Sequence, residues 1–273
     1  MDFKLFYYKK LFQEALHNYN IQTFSDFIDA PHTNTIILRH DVDLKPQNSL
    51  VTAVIENKLG IRGSYYFRTV PESFNVDIIK QIAGLGHEVG YHYETMDTAS
   101  AKLNVKHETL NEKRKEELVD AAYEEFCESL EEFRKIYPVK TICMHGSPKS
   151  AFDNRDIWKK YDYRKLGIIG EPYFDIDFNK FFYLTDTGRC WNGYKYSVRD
   201  KMPQQEQWVK QGLVFRTTND IIKAAQQNKL PNQVMITVHP QRWTNNYFEW
   251  TKELLSQRVK NVVKWGLIQL KHK

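Results

Sequence analysis

Cysteine is scarce in this sequence of 273 residues. Cys127, Cys143 and Cys190 form an odd, widely spaced set with no CxxC pair. Such a set argues against a disulfide framework and fits reduced thiols in a cytoplasmic protein. Long apolar runs are missing too: no stretch reaches the ~18 residues that a membrane span needs. The opening Met1-Asp2-Phe3-Lys4-Leu5-Phe6-Tyr7-Tyr8-Lys9-Lys10 carries no signal-peptide core. The expected compartment is therefore the cytosol. Charge of one sign is nowhere concentrated. Lys+Arg 39 against Asp+Glu 34 leaves +5, spread along the chain without a basic block of the kind that binds nucleic acid. That mild excess is compatible with an anionic ligand without demanding one. Repeats, low-complexity tracts and Pro/Gly/Ser linkers are absent as well, so residues 1–273 read as a single domain.

What the chain does have is aromatics: 16 Tyr, 16 Phe and 6 Trp, enough for a rich core and an aromatic-lined cleft. Its length is long for an ordinary domain and normal for one α/β barrel. A chain this size buries roughly three quarters of its unfolded surface and needs no covalent staples.

Periodicity supplies the elements. Strands are expected at 35–39, 64–68, 87–92, 141–144, 166–169, 181–184 and 233–238. Between them fall helical patterns. Residues 3–18 offer Phe6, Phe12, Ala15 and Leu16 for one face; 47–58 carry Leu50, Val51, Val54 and Ile55; 76–85 carry Ile78, Ile79, Ile82 and Leu85. The segment 111–136 runs a stripe from Leu118 through Ala122, Phe126, Leu130 and Phe133 to Tyr137, with Glu112 to Glu117 as a solvated face. Residues 218–229 form a helix with Thr218 as N-cap, and the last helix, about 247–270, is expected to bury Leu255, Val259, Val262 and Val263. Strands alternating with helices imply a parallel sheet, open or closed into a barrel.

In such folds the ligand lies beyond the carboxyl ends of the strands. Five polar clusters obey that rule: His40-Asp41-Val42-Asp43, His92-Tyr93-Glu94, His145-Gly146-Ser147, Asp186-Thr187-Gly188-Arg189 and His239-Pro240. If the first strand stays extended through Val42, Asp41 and Asp43 share a face. His87 lies at the opposite end of its strand and reads as structural, as do His17, His32, His107 and His272. Carboxylates with neutral imidazoles suit zinc or another borderline divalent ion. Such an ion can lower the pKa of a bound water to roughly 7 and polarise a carbonyl; a nearby carboxylate then takes a proton and a histidine gives one.

Each cluster alone has a plainer explanation. Asp41 and Asp43 can cap a helix, and His92 and His145 can be hydrogen-bonded core histidines. His239-Pro240 can merely end a strand. Asp186 with Arg189 can be a turn ion pair worth ~0–1 kcal/mol. Trp191, Trp243 and Tyr93 can floor a sugar site or simply pack. Four histidines at matching strand ends favour the functional reading.

In motif order and spacing, residues 35–243 resemble the NodB-type polysaccharide deacetylase superfamily (carbohydrate esterase family 4). More closely they resemble its divergent branch that lacks a signal peptide and has a His-Asp-Val-Asp first motif, called WbmS-like and associated with surface-polysaccharide biosynthesis. The resemblance implies an α/β fold, a distorted seven-stranded (β/α) barrel, and removal of acetyl groups from sugars by metal-activated water. It implies Asp41 as general base, Asp43 and His92 as metal ligands, and His239 as general acid. His145-Gly146-Ser147-Pro148 would border the groove, and Asp186 through Trp191 would form the fourth motif.

The family's second motif has two histidines four apart, both on the metal; here Met96 stands at the second place, and a thioether is a poor ligand for a hard site. His145 is the first candidate to complete the trio and Glu94 the second. Arg39, Arg189 or Arg242 would supply the arginine that orients the base. Arg39, His40, Tyr93, Glu94, Asp186, Arg189, Trp191 and Arg242 are expected to line the substrate site. The expected cofactor is a divalent metal, zinc foremost, with iron, cobalt or nickel as alternatives. The expected substrate is a small or carrier-linked amino sugar. Two other functions remain open: an inactive barrel that binds a glycan or a partner protein, and an amidohydrolase acting on a non-sugar amide.

Overall fold

Strand β2 (Thr35–Val42) is the spine of the sheet. It opens on Thr35-Ile36-Ile37-Leu38, a composition suited to a strand covered on both faces, and all eight of its residues are buried. It pairs in parallel with β1 (Asn20–Gln22) and β3 (Ser64–Phe67) along one edge and with β7 (Gln233–Val238) along the other. Strands β4 (Glu88–Tyr93) and β5 (Ile142–Met144) extend the sheet past β3, and β6 (Phe182–Thr185) lies outside β7. The order is β5-β4-β3-β2-β7-β6, with β1 beside β2. The computed structural model describes residues 1–106, 110–146, 150–192 and 202–271, with 263–271 as helix backbone. Ser147 and Pro148 of the third motif lie outside the described residues, as do His107 and His272.

The expected α/β architecture of seven parallel strands is present. Among the described residues no ladder joins the edge strands β5 and β6, so the sheet is a curled half-barrel. His145, just past β5, comes within 3.7 Å of Asp43, just past β2, so strand ends from both sides of the sheet meet at one rim.

The strand expected at 166–169 is absent. Tyr163–Leu166 is a 3-10 turn closed by Gly167 at φ 73, and Gly170 makes an isolated bridge with Thr141. The seventh strand is β1, whose three residues hold one apolar side chain and so display no pattern.

Helices surround the sheet on its outer side. They are α1 (Leu5–Ala15), α2 (Phe24–Asp29), α3 (Pro46–Lys58), α4 (Val76–Gly84), α5 (Thr95–Lys102), α6 (Glu112–Arg134), α7 (Pro172–Asp175), α8 (Gln205–Lys210), α9 (Thr218–Gln226) and α10 (Tyr247–Lys271). Helix α6 buries Leu118, Ala122, Phe126, Leu130 and Phe133 and leaves Glu112 to Glu117 in solvent, as its stripe requires. Four other expectations need correction. Helix α1 buries Tyr8, Leu11, Phe12 and Ala15, while Phe6 and Leu16 are exposed. Helix α3 turns a polar face inward, Ser49, Thr52 and Glu56 with Ala53, because Glu56 finds His40 and Tyr8 beneath it. The N-cap of α9 is Thr217, in a reciprocal box with Asp220, while the Thr218 hydroxyl donates to Asp2. On α10, Leu255, Val259 and Val262 are exposed, and the side chain of Val263 lies outside the described residues. Among the described residues no helix is long and apolar enough to cross a membrane.

Candidate active site

Side chains alternate along a strand, so β2 sends Arg39 and Asp41 to the inner face and His40 to the helices. Inside, Arg39 grips Asp41 through Nε to Oδ1 at 2.7 Å and Nη2 to Oδ2 at 2.7 Å. Burial alone would raise the Asp41 pKa; Arg39, followed by His92 and His239, outweighs it and holds the carboxyl well below the usual range. Asp43, one step past the strand, keeps the same parity and points to the same rim.

Three imidazoles face Asp43; His92 and His239 are hydrogen-bonded at Nδ1, and His145 Nδ1 lies at ion-pair distance from a carboxylate outside hydrogen-bond geometry. His92, on β4, donates from Nδ1 to the Cys143 carbonyl at 2.9 Å. His145 Nδ1 sits 2.9 Å from Glu94 Oε2. His239, which follows β7, holds Nδ1 2.6 Å from Asp186 Oδ1. Each Nε2 is then turned to the Asp43 carboxylate: His92 and His145 at 3.7 Å from Oδ1, His239 at 3.8 Å from Oδ2. Burial pushes His92 down to about 4 against the pull of Asp41, so its ring is neutral at pH 7 and its Nε2 lone pair is available. Burial also pulls on His145, but Glu94 and the charge of Asp43 outweigh it and its pKa rises. Asp43 itself is held low: burial opposes this, and His239, His145 and His92 prevail.

Partners behind these groups fix their rotamers. Glu94 is clamped by Arg68, Nε to Oε1 at 2.9 Å and Nη2 to Oε2 at 2.8 Å. Asp186 is fully buried and accepts from the His239 backbone N–H, from Arg242 Nη1 at 2.6 Å and from Trp243 Nε1 at 2.8 Å. Gln241 donates from Nε2 to Asp43 Oδ2 at 3.3 Å. Arg68 and Gln241 were missed from sequence. Arg68 ends an apolar strand at the same rim as the other clusters, which is a usable signal; Gln241 carries none.

Several expected substrate contacts do not reach this cluster. His40 is sealed on the outer face, where Nε2 meets the Tyr8 hydroxyl at 2.8 Å and Glu56 at 2.8 Å and the ring stacks on Tyr65. Tyr93 also faces the helices and accepts from Trp158 Nε1. Trp191 packs against Phe3 and donates to Thr218. Arg189 lies over the Trp250 ring and donates to the Trp250 carbonyl at 2.6 Å. Met96 sits in the apolar core between sheet and helices, and its backbone N–H donates to Asn154.

No family model matches the sequence, and no curated protein matches it. Among solved structures, the chain is similar to a crystal structure of a mutant CE4 family pseudoenzyme with restored enzymatic activity. The TM-score is 0.39 and the identity 14%, over 85% of this chain and 65% of that one, so this chain spans just under two thirds of that chain's length.

The chemistry of the donors tests whether a metal fits. Asp43 Oδ1 is buried without a hydrogen-bond partner and faces two neutral-capable imidazole nitrogens. A carboxylate with two imidazoles matches a borderline divalent ion; His92 has the Nδ1 hydrogen bond that such ligands need, and His145 has the Glu94 carboxylate 2.9 Å from its Nδ1. A second group, Asp41, His92 and Cys143, places its ligand atoms within 4.8 Å of one another. It fits less well, because Arg39 occupies both Asp41 oxygens and its charge repels a second cation.

Proposed function

We propose that this protein is a metal-dependent hydrolase that removes an acetyl group from an amino sugar or glycan intermediate. The observation that carries the reading is the convergence of His92, His145 and His239 Nε2 on the one carboxylate of Asp43. Asp43, His92 and His145 would hold a divalent ion, zinc foremost. Once bound, that ion supplies Lewis-acid polarisation of a carbonyl oxygen and a water of lowered pKa.

The chain's own residues divide the proton work. Arg39 keeps Asp41 ionised and aims it as the acceptor of a proton from the attacking water, at the cost of lowering its basicity. His239 offers Nε2 to the leaving group, while Asp186 at Nδ1 fixes the direction of the ring. Arg242 and Trp243 keep Asp186 ionised and in place. Glu94 and Arg68 set the His145 ring. The sugar class rests on the motif resemblance, with a small or carrier-linked substrate in the cytosol.

The test is acetate release from a panel of acetylated amino sugars by metal-loaded protein, beside Asp41→Asn. Release that the substitution abolishes supports the reading; equal release refutes the assignment of Asp41. A second reading, a barrel that binds a glycan or a partner protein without turnover, is favoured by Met96, which lies in the apolar core where the family places a ligand. Metal content separates the two.

A further inference from the structure

Among the described residues, the contacts that hold helix α10 to the body come from its inner face. Arg189 donates to the Trp250 carbonyl, Asn261 Nδ2 donates to the Gly188 carbonyl at 2.9 Å, and Trp250 Nε1 donates to the Asp2 carbonyl at 2.7 Å. The other face carries Phe248, Leu255, Val259 and Val262, which are 76%, 57%, 66% and 69% exposed. At about 100° per residue these four fall in an arc of about 60°. Lys252 lies about 20° beyond one edge of the arc and Arg258 about 40° beyond the other, and both are exposed. The acids of this helix, Glu249 and Glu253, lie towards the body, where Glu249 approaches Lys45. From Arg258 through Lys273 the sequence holds Arg258, Lys260, Lys264, Lys271 and Lys273 and no acidic residue.

A narrow apolar stripe between cations is the pattern of a helix that lies in the plane of an anionic lipid surface. We propose that the outer face of α10 docks the protein on such a surface, with Phe248, Leu255, Val259 and Val262 entering the acyl boundary and Lys252 and Arg258 meeting lipid phosphates. A second copy of the chain fits less well, because a two-fold pairing of this face would set its own cations against one another. The helix packs on Thr187–Arg189, directly after Asp186, so docking would bring the catalytic rim beside the lipid surface. The proposal stands apart from the catalytic reading, since lipid binding uses none of the rim residues.

Co-sedimentation of the full chain with vesicles tests it. Wild type is expected to pellet with phosphatidylglycerol-containing vesicles, to stay in solution with pure phosphatidylcholine, and to be released by high salt. Val259→Glu, at an exposed position where folding is unaffected, is expected to abolish binding. Lys252→Gln with Arg258→Gln is expected to weaken it by roughly 30-fold, from ~1 kcal/mol per cation. The proposal is overturned if wild type ignores anionic vesicles, or if Val259→Glu binds as well as wild type. It is equally overturned if the wild type forms a dimer that Val259→Glu dissociates and no vesicle binding occurs, because the stripe is then an interface between copies.

Discussion

Arg39 and Asp41 form a two-pronged, fully buried ion pair inside the sheet, two residues apart on one strand. The pairing converts a carboxylate that burial would neutralise into one that stays charged and fixed in direction. Arg39→Lys keeps the charge and loses the fork. Turnover is expected to fall about 10- to 100-fold with metal content unchanged, measured by steady-state kinetics beside elemental analysis. Full activity in the lysine variant would remove Arg39 from the mechanism.

Asp186 has one task in this account, to hold and orient the His239 ring. Asp186→Asn places an amide where His239, Arg242 and Trp243 all donate. The expected loss is about 10²- to 10⁴-fold in kcat with little change in KM and with metal retained. A loss confined to KM would instead make Asp186 a substrate-binding residue.

Much of this site was legible because the chain writes it at strand ends. The strands stop at Val42, Tyr93, Met144, Thr185 and Val238, close to the ends expected at 39, 92, 144, 184 and 238, and a titratable residue follows at the next position each time. Parity even forecast that Asp41 and Asp43 share a face. The same parity, applied to His40 and Tyr93, would have turned them outward, away from the rim. Which face of a helix is covered was harder to read. The apolar residues of α3 and α10 mark a stripe, but the Glu56 network draws the polar side of α3 inward, and the stripe of α10 faces away from the body. Trp191 and Arg189 were misplaced for a related reason: long side chains after a strand can fold back onto α10 and the N-terminal segment.

Glu171 provides a pH test away from the proposed ligands. Burial raises its pKa from 4.5 to about 7, only partly offset by the Met144 and Tyr173 N–H donors and by Arg39. Below pH 4.5 both folded and unfolded chains hold this proton, and the group is neutral to stability. Between 4.5 and about 7 the unfolded chain releases it first, so stability falls as pH rises, by on the order of 3 kcal/mol in total, and levels off above 7. Glu171→Gln is expected to flatten that part of the curve, read as the difference in unfolding midpoint from wild type at pH 5 and pH 8. A difference independent of pH would show that Glu171 does not titrate in this range.

Gly90 has a packing role on β4. A Cβ there would collide with Tyr66 Cε1 and lie 2.9 Å from the Thr141 carbonyl oxygen, and the Tyr66 ring is held by its own bond to Thr141 Oγ1. Gly90→Ala is expected to cost about 1–3 kcal/mol by overpacking, seen as a lower midpoint in denaturant unfolding. No loss of stability would mean that Tyr66 can move aside.

The choice between the two overlapping ligand groups has a spectroscopic signature. Cobalt bound by Asp43, His92 and His145 shows no thiolate-to-metal charge-transfer band. Cobalt bound by Asp41, His92 and Cys143 shows one, and Cys143→Ser would remove it. The account predicts no such band, and a spectrum that Cys143→Ser leaves unchanged.

The central claim is that Asp43, His92 and His145 hold a divalent ion. Elemental analysis of the protein, wild type beside Asp43→Asn, tests it most directly. The account predicts close to one divalent ion per chain in the wild type and its loss in the variant. A wild type that takes up no ion after incubation with zinc, iron, cobalt or nickel, or an Asp43→Asn protein that keeps a full complement, would contradict it.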